Sequence, residues 1–416
     1  MIAEIISIGD ELLIGQIVNT NASFIAAELN LAGIIVRRIT TIGDTRDEIL
    51  SALHHASQYA NLVIITGGLG PTNDDITKHT LCEYFDSHLV LHQESLDNIR
   101  DIFCKRGYGL TERNRLQAEL PHNCTAFSNP LGTAPGMWFE KNAIHYISMP
   151  GVPFEMKKML MDEVLPAFER LGVTKSIIHK TIYTIGLGES ALADRIKNWE
   201  EQLPADIKLA YLPEPGIVKL RLSTYDSDAE NPKEAITIEI NKLKGLIPEL
   251  IFGYDKDTIQ KVVGELLLKF GKCVATAESC TGGYIAHLIT SVAGSSAYYK
   301  GSVVAYDNAV KVETLGVDEK LIQLHGAVSQ EVVSAMAQGV QRILKTDYAI
   351  ATSGIAGPDG GTTEKPVGTI WIAIACQSKV YAEKFLLGDD RERNIRRASL
   401  FALNMLRKEL ISIEGW

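Results

Sequence analysis

Short runs of Ile and Val recur along the first third of the chain, each bounded by turn residues. Glu4–Ile8 and Asn61–Thr66 are of this kind, and runs so short and so uniformly apolar predict strands buried on both faces. Between them the chemistry changes. Asn19-Thr20-Asn21 offers side-chain oxygens to free backbone N–H groups, which predicts a helix over Ala22–Leu31 stopped at Gly33. A further strand is expected over Ile144–Met149. Pro-Gly-Val-Pro then leads into a helix over Phe154–Leu171, with Pro153 in the first turn, where its missing N–H costs nothing. Strand and helix in alternation predict a mainly parallel sheet covered on both faces.

From about Gly172 to Leu250 the pattern differs. Ser176–Ile185 and Ile217–Thr224 alternate apolar with polar, as half-exposed strands do, and Asn231–Leu246 reads as a helix. A third block opens near Phe252. Ile259, Val262, Val263, Leu266, Leu267 and Phe270 fall on one face of a helix. Strands are expected over Cys273–Ala277, Ser302–Tyr306, Tyr348–Thr352, Thr369–Cys376 and Val380–Leu387, and a long helix over Arg393–Leu410. The domains predicted are thus 1–171, 172–250 and 251–416, all of mixed α/β character.

Composition narrows the function classes. At 416 residues, 46% hydrophobic and 22% charged, the chain is ordinary for a globular protein of several domains. A net charge of −10 argues against a broad surface for nucleic acid or anionic lipid. Apolar runs such as Leu62–Thr66 are strand-sized, so no membrane span is expected. The N-terminus lacks the basic start of a secretory signal. Six scattered cysteines without a CxxC pair fit free thiols in a reducing cytoplasm.

The richest stretch is Ala275–Gly283, ATAESCTGG. A buried strand should end at Ala277 and a helix begin after Gly283, over Tyr284–Ile289. Ser279 and Cys280 then sit on a strand-to-helix turn, where a nucleophile can be held beside backbone N–H groups. The plain alternative is that the turn only caps a helix, and that Cys280 is a small buried residue or itself the nucleophile. A serine also needs a base. His287 and His325 lie in no conspicuous motif, and Lys311 serves only if burial or a neighbouring charge lowers its pKa. The glycine-rich segment 353–361 (SGIAGPDGG) suits close approach of a ligand. Arg391 and Arg396 could grip a phosphate bidentately.

These residues carry a resemblance. AESCTGG (277–283), AGSSAYY (293–299), GSVVAYDNAVK (301–311), HGAVS (325–329), SGIAGPDGG (353–361) and KPVGTIW (365–371) are similar to the CinA C-terminal family, the nicotinamide mononucleotide deamidases also called PncC. The resemblance implies a metal-free Ser/Lys amidohydrolase. Ser279 would be the nucleophile, Lys311 the base and Tyr306 a supporting group. Cys280, Thr281, Gly282 and Gly283 would form the turn that meets the substrate, with backbone donors at Thr281 and Gly282. Ser295, Ser296, Ser353, Gly354, Ile355, Gly357 and Arg391 or Arg396 would hold the nucleotide.

The N-terminal third has its own constellation. TGGLGPTNDD (66–75) follows a buried strand and enters a helix around Ile76–Phe85, an arrangement that admits phosphate. Asp10, Glu11, Asp74 and Asp75 form a hard-oxygen set suited to Mg²⁺ or Mn²⁺, unless the two latter aspartates merely cap their helix. With GDELLIGQIVNTN (9–21) and GTAPG (132–136), these motifs resemble the molybdopterin-binding fold of MoaB and MogA, in its CinA branch. That resemblance implies a three-layer domain hydrolysing ADP-ribose with Mg²⁺, Mn²⁺ or Co²⁺. Asp10, Glu11, Asp74 and Asp75 would hold the metal; Asn19, Gly67, Gly68, Gly70, Lys78 and Gly132 would surround the substrate. The middle block, through TIGLGESALADRI (184–196), resembles the small KH-like domain of full-length CinA proteins. It has no GxxG clamp for nucleic acid, so a connector or dimerisation element is expected. A cytoplasmic homodimer acting on two NAD-derived substrates is the overall expectation. A non-catalytic nucleotide- or molybdopterin-binding N-terminal domain and a competence-linked interaction protein are the alternatives.

Overall fold

A computed structural model of the chain describes residues 1–72, 75–105, 107–172, 178–224, 231–377 and 379–412. These divide into two compact units, one up to Ile178 and one from His179 on. Asp74 and the first residues of the strand expected from Ser176 lie outside the described residues.

The first unit holds β1 (Ile2–Ile8), β2 (Ile35–Ile42), β3 (Leu62–Thr66), β4 (Leu89–Leu91), β5 (Glu119–Pro121), β6 (Thr125–Phe127), β7 (Gly136–Lys141) and β8 (Ile144–Met149). Six of them form one sheet in the order β2-β1-β3-β8-β7-β6, while β4 and β5 pair separately. The β2-β1-β3-β8 part is parallel and β7 and β6 turn antiparallel, so the expected parallel sheet carries an antiparallel edge. Two cores cover its faces. Ile25, Leu29, Met156 and Phe168 pack against Ile5 and Ile64 on one side. Ile49, Leu53 and Phe85 pack against Ile6 and Val63 on the other. Neighbours in the sequence of a strand thus enter opposite cores, which is why these strands are apolar at every position. The helix expected over Phe154–Leu171 runs as Pro153–Met159 and Leu165–Arg170, joined by a π-turn over Leu160–Val164. Pro166, which has no N–H to give, lies at its end.

The second unit contains two sheets. β9 (Ile178–Ile185), β10 (Ile207–Glu214), β11 (Ile217–Thr224) and β12 (Ile251–Tyr254) are ordered β10-β11-β9-β12. β13 (Val274–Glu278), β14 (Tyr299–Val304), β15 (Tyr348–Gly354), β16 (Thr369–Cys376) and β17 (Lys379–Leu386) are ordered β14-β13-β15-β16-β17. β14, β13 and β15 are parallel, whereas β16 and β17 return antiparallel.

The two sheets share a core. Ile185, Ile217 and Phe252 of the smaller sheet belong to the same apolar cluster as Val263, Ile372 and Leu403. Arg407, buried on the helix Arg391–Ser412, donates to the carbonyls of Ile251 (3.0 Å) and Glu249 (3.1 Å) and to Asn404 Oδ1 (2.9 Å). Burial pulls its guanidinium down to about 10. Apolar contact and this carbonyl clamp explain why the middle block and the C-terminal block form one unit.

Candidate functional site

β13 is central, and its register places Glu278 beside Val304 of β14 and Thr352 of β15. The chain leaves β13 into Ser279 at the carboxyl ends of three parallel strands, where connections diverge to opposite sides and a crevice opens. The Ser279 N–H donates to the Thr352 carbonyl (3.0 Å), extending the ladder by one rung. Gly282 and Gly283 then adopt φ of +60° and +95°. A side chain at Gly282 would meet nothing within 4 Å, so glycine is required by the left-handed backbone and not by lack of room.

The helix that follows, Tyr284–Thr290, does not present a free N-terminus. Glu278, fully buried, accepts from the N–H groups of Gly283 (3.1 Å), Ile285 (3.0 Å) and Ala286 (2.8 Å) and from the hydroxyls of Thr281 (2.7 Å) and Thr276 (3.3 Å). The Gly282 N–H donates to the Ser279 carbonyl (3.1 Å). Gly282, expected to offer a backbone donor, therefore has none to give a substrate, and neither does Gly283. Among the described residues, the N–H groups of Cys280 and Thr281 are the ones on this turn without a hydrogen-bond partner.

Lys311 lies on the helix Asn308–Glu313, capped by Asp307, whose carboxylate accepts from Ala309 N (2.7 Å). Its side chain is 1% exposed, and Nζ donates to the Tyr306 carbonyl (3.2 Å). It makes no ion pair among the described residues. Burial holds its pKa below the ordinary lysine range, and Asp307 and Cys280, the nearest charge partners, oppose this less strongly. Such a lysine is suited to accept a proton. Cys280 is buried and burial pushes its thiol up to about 12, which leaves it protonated and inert and supports the packing reading of that residue.

The Tyr306 side chain is exposed, and its hydroxyl accepts from Arg391 Nη2 (2.8 Å). Arg391 Nη1 donates to the Gly357 carbonyl (2.7 Å), so one guanidinium joins the tyrosine to the 353–361 loop. Asn394, buried, donates to the carbonyls of Ala356 (3.0 Å) and Gly388 (2.9 Å) and fixes the same loop from the helix side.

Arg396 is elsewhere. It pairs with Glu214 (3.2 Å) in a separate cavity of about 320 Å³, lined also by Tyr183, Lys219 and Tyr284. Five residues of helix turn the chain through ~140° relative to Arg391, so the two arginines serve different faces. Ser295 and Ser296 also lie away from Ser279. They precede Tyr299, which pairs with Val274 at the opposite end of β13, a strand length of roughly 13–17 Å.

The Ser353 hydroxyl is spent on the Ala327 carbonyl (2.7 Å). Gly354 and Gly357 are held against Ile370 and the Asp389 carbonyl, so tight that a side chain would clash. The Ile355 N–H donates to the Thr369 carbonyl (2.9 Å), and its carbonyl accepts from Gly368 N (2.8 Å). The glycines of this loop serve packing, and Arg391 is the charged group it shares with Tyr306.

In the first unit a cavity of about 510 Å³ opens at the ends of β1 and β3. Gly67 lets the β3 turn approach so closely that a Cβ would lie 2.1 Å from the Ile8 carbonyl. Gly68, Gly70 and Asn19 also line the cavity; Asn19 caps the helix Thr20–Leu31 through Ala22 N (3.0 Å). The space beside Gly70 and Gly132 is filled by the carboxylates of Asp75 and Glu155. Among the described residues, the charged groups lining it are Glu11, Asp44, Asp75 and Glu155, all acidic.

Asp44 was not foreseen. Its Oδ2 accepts from Asp10 N (3.0 Å), and Asp10 Oδ1 accepts from Asp44 N (3.4 Å). Burial, then Asp10, Glu11 and Asp75, push its pKa up. The signal lay in β2, whose end at Ile42 pairs with Ile8 and carries Asp44 to Asp10; that strand was not read from the pattern. Asp75 also accepts from Thr72 N (3.0 Å) within its own loop, and the helix Thr77–Tyr84 carries no side-chain cap. Lys78 is directed away: Nζ donates to the Leu116 carbonyl (2.9 Å) and burial lowers its pKa, so it does not meet a ligand in the cavity.

Among the described residues, no three acidic, His or Cys side chains converge on a metal position. The carboxylate chemistry still suits a divalent cation held by one or two carboxylates and by a ligand's phosphate oxygens, the usual habit of Mg²⁺. Ser7 Oγ and Asn21 Oδ1 line the same cavity, buried and without a partner among the described residues.

Sequence comparisons place these units among known proteins. Residues 256–410 match the model of the CinA C-terminal domain, 4–170 a molybdopterin-binding domain, and 179–253 the KH domain of damage-inducible protein CinA. A CinA-like protein of Cytophaga hutchinsonii is 49% identical over 412 residues, covering 99% of both chains.

The chain belongs to the CinA family.

A CinA-like protein of Flavobacterium psychrophilum is 46% identical, again over 99% of both chains. Among solved structures, a competence/damage-inducible protein of Agrobacterium tumefaciens is 36% identical, covering 37% of this chain and 93% of its own, with a TM-score of 0.36. CinA of Thermoplasma acidophilum is also 36% identical, covering 41% of this chain and 96% of its own, with a TM-score of 0.36. By the three matched segments, this chain comprises a molybdopterin-binding-like domain, a KH-like domain and the CinA C-terminal domain. All six cysteines are free, and no helix among the described residues is long and apolar enough to cross a membrane.

Proposed function

We propose that the C-terminal domain hydrolyses the carboxamide of nicotinamide mononucleotide, giving nicotinate mononucleotide and ammonia. The observation that carries this reading is Lys311: a lysine buried without an ion pair among the described residues, in electrostatic contact with Cys280, the residue after Ser279. Ser279 Oγ attacks the amide carbon while neutral Lys311 takes its proton. The oxyanion of the tetrahedral intermediate is met by the N–H groups of Cys280 and Thr281, a contribution of about 2.7–4 kcal/mol per donor. Lys311 returns the proton to the departing nitrogen, ammonia leaves, and water releases the acyl group from Ser279. Arg391 meets the phosphate. Ammonia release by wild type, Ser279→Ala and Lys311→Ala, with chelator present, tests this. An inert wild type refutes the substrate; an active Ser279→Ala moves the nucleophile.

For the N-terminal domain the acidic cavity favours metal-dependent hydrolysis of ADP-ribose to AMP and ribose phosphate. Its ring of carboxylates repels a pyrophosphate unless a cation is bound between them; Glu11, Asp44 and Asp75 would hold that cation, which would withdraw charge from the phosphate oxygens. AMP release by the full chain with Mg²⁺, Mn²⁺ or Co²⁺ is the test. Failure with all three favours a nucleotide- or pterin-binding module.

A further inference from the structure

The carboxylate next to the nucleophile has no place in the reaction just described, yet it is the most heavily hydrogen-bonded side chain of the site. Glu278 is the last residue of β13 and is fully buried. It has no cationic partner among the described residues. Its Oε2 accepts from Thr281 Oγ1, Gly283 N and Ile285 N, and its Oε1 from Ala286 N and Thr276 Oγ1. An uncompensated buried carboxylate is costly, and here the free N–H groups and positive end of the following helix compensate it.

The consequence is geometric. Residue 278 precedes the turn, and residues 283, 285 and 286 follow it. The side chain therefore closes Ser279–Gly283 into a ring, clamping both ends of the segment that carries the nucleophile. It also consumes the donors that would otherwise compete for the oxyanion, leaving those of Cys280 and Thr281. A second strand of the clamp is directional. Thr281 Oγ1 gives its proton to Glu278, so its contact with Thr352 Oγ1 (2.8 Å) is donated by Thr352. Thr352 also accepts the Ser279 N–H through its carbonyl, which ties β15 to the nucleophile from the other side.

We infer that Glu278 is a positioning residue for Ser279: its carboxylate, filled by the helix N-terminus and Thr281, sets the turn geometry on which nucleophilic attack and oxyanion binding depend. The inference rests on Ser279 being the nucleophile but not on the identity of the substrate.

Glu278→Gln preserves shape but turns an NH₂ group toward donors. The test uses the full chain and two readouts: kcat and KM for ammonia release from nicotinamide mononucleotide, and the rate at which a fluorophosphonate labels Ser279, followed by intact mass. Expected for a cooperatively folded Glu278→Gln are a kcat at least tenfold lower, a KM within threefold, and labelling slowed by a similar factor. A merely structural role would lower the melting temperature while folded molecules labelled at the wild-type rate; that result overturns the inference. If Glu278→Gln does not fold, Thr281→Val decides, because it removes one donor to the carboxylate and keeps the backbone N–H. Loss of labelling rate restored by Thr281→Ser supports the inference, and an unchanged rate overturns it. Wild type that labels but releases no ammonia refutes the substrate alone, and the labelling comparison still decides Glu278. Wild type that neither labels nor releases ammonia overturns the nucleophile and the inference together.

Discussion

Replacing Lys311 by Met should make the protein more stable and inactive at once. The lysine is 1% exposed, and among the described residues its Nζ has one hydrogen-bond partner, the Tyr306 carbonyl at 3.2 Å. Methionine fills nearly the same volume. Exchanging a buried charge for a well-packed apolar group is commonly neutral or stabilising by about 1–4 kcal/mol, and loss of one hydrogen bond returns about 1 kcal/mol of that. A net gain of up to about 3 kcal/mol is expected at neutral pH, or up to roughly 6–12 °C in Tm for a unit of this size.

The sign with pH follows from linkage. Burial lowers the folded pKa of Lys311 below the ordinary 10.5. Between those two values the unfolded chain binds more protons than the folded one, so wild type gains stability as pH rises. Below that window the lysine is charged in both states and its burial penalty is complete; above it the penalty vanishes. The advantage of Lys311→Met should therefore be largest at neutral pH and shrink toward pH 10.5. Thermal melts of both proteins across that range measure it, beside ammonia release, which should fall about 10²–10⁴-fold. A variant less stable than wild type at pH 7, or a difference flat across the range, would refute the reasoning.

Cys280→Ala should keep ammonia release within tenfold of wild type, since the thiol is packed into the apolar core; a loss as deep as that of Ser279→Ala contradicts this. Arg391→Ala should raise KM for nicotinamide mononucleotide at least tenfold and leave the phosphate-free riboside little affected. Arg396→Ala, removing the partner of Glu214, should change neither. Arg407→Ala strips the carbonyls of Glu249 and Ile251 of their donor and should cost about 2–4 kcal/mol in urea unfolding. Asp44→Asn removes a carboxylate whose pKa is raised by burial and by Asp10, Glu11 and Asp75. It should raise Tm at neutral pH, an advantage that fades as pH falls to the unfolded aspartate value, and it should weaken stabilisation of the wild type by Mn²⁺.

Much of this was legible locally. Short apolar runs bounded by turn residues set β1, β3, β8 and β13 to within a residue or two. Asn19 and Pro153 marked helix starts because capping and proline chemistry act over a few residues. The turn at Ser279 was readable because a strand, two glycines and a helix fall in direct succession. Lys311 became the assigned base only through the family resemblance.

What the chain alone left open depends on contacts between distant segments. The two arginines of the last helix look equivalent along the sequence, and only the helical turn between them, with the Tyr306 hydroxyl on one side and Glu214 on the other, separates their roles. Ser295 and Ser296 were misplaced because a parallel register puts their turn at the far end of β13. Asp44 becomes a neighbour of Asp10 only when β2 pairs with β1. Glu278 and Lys311 look like ordinary charged residues in the sequence; their burial, which no local pattern encodes for a charged side chain, sets them apart.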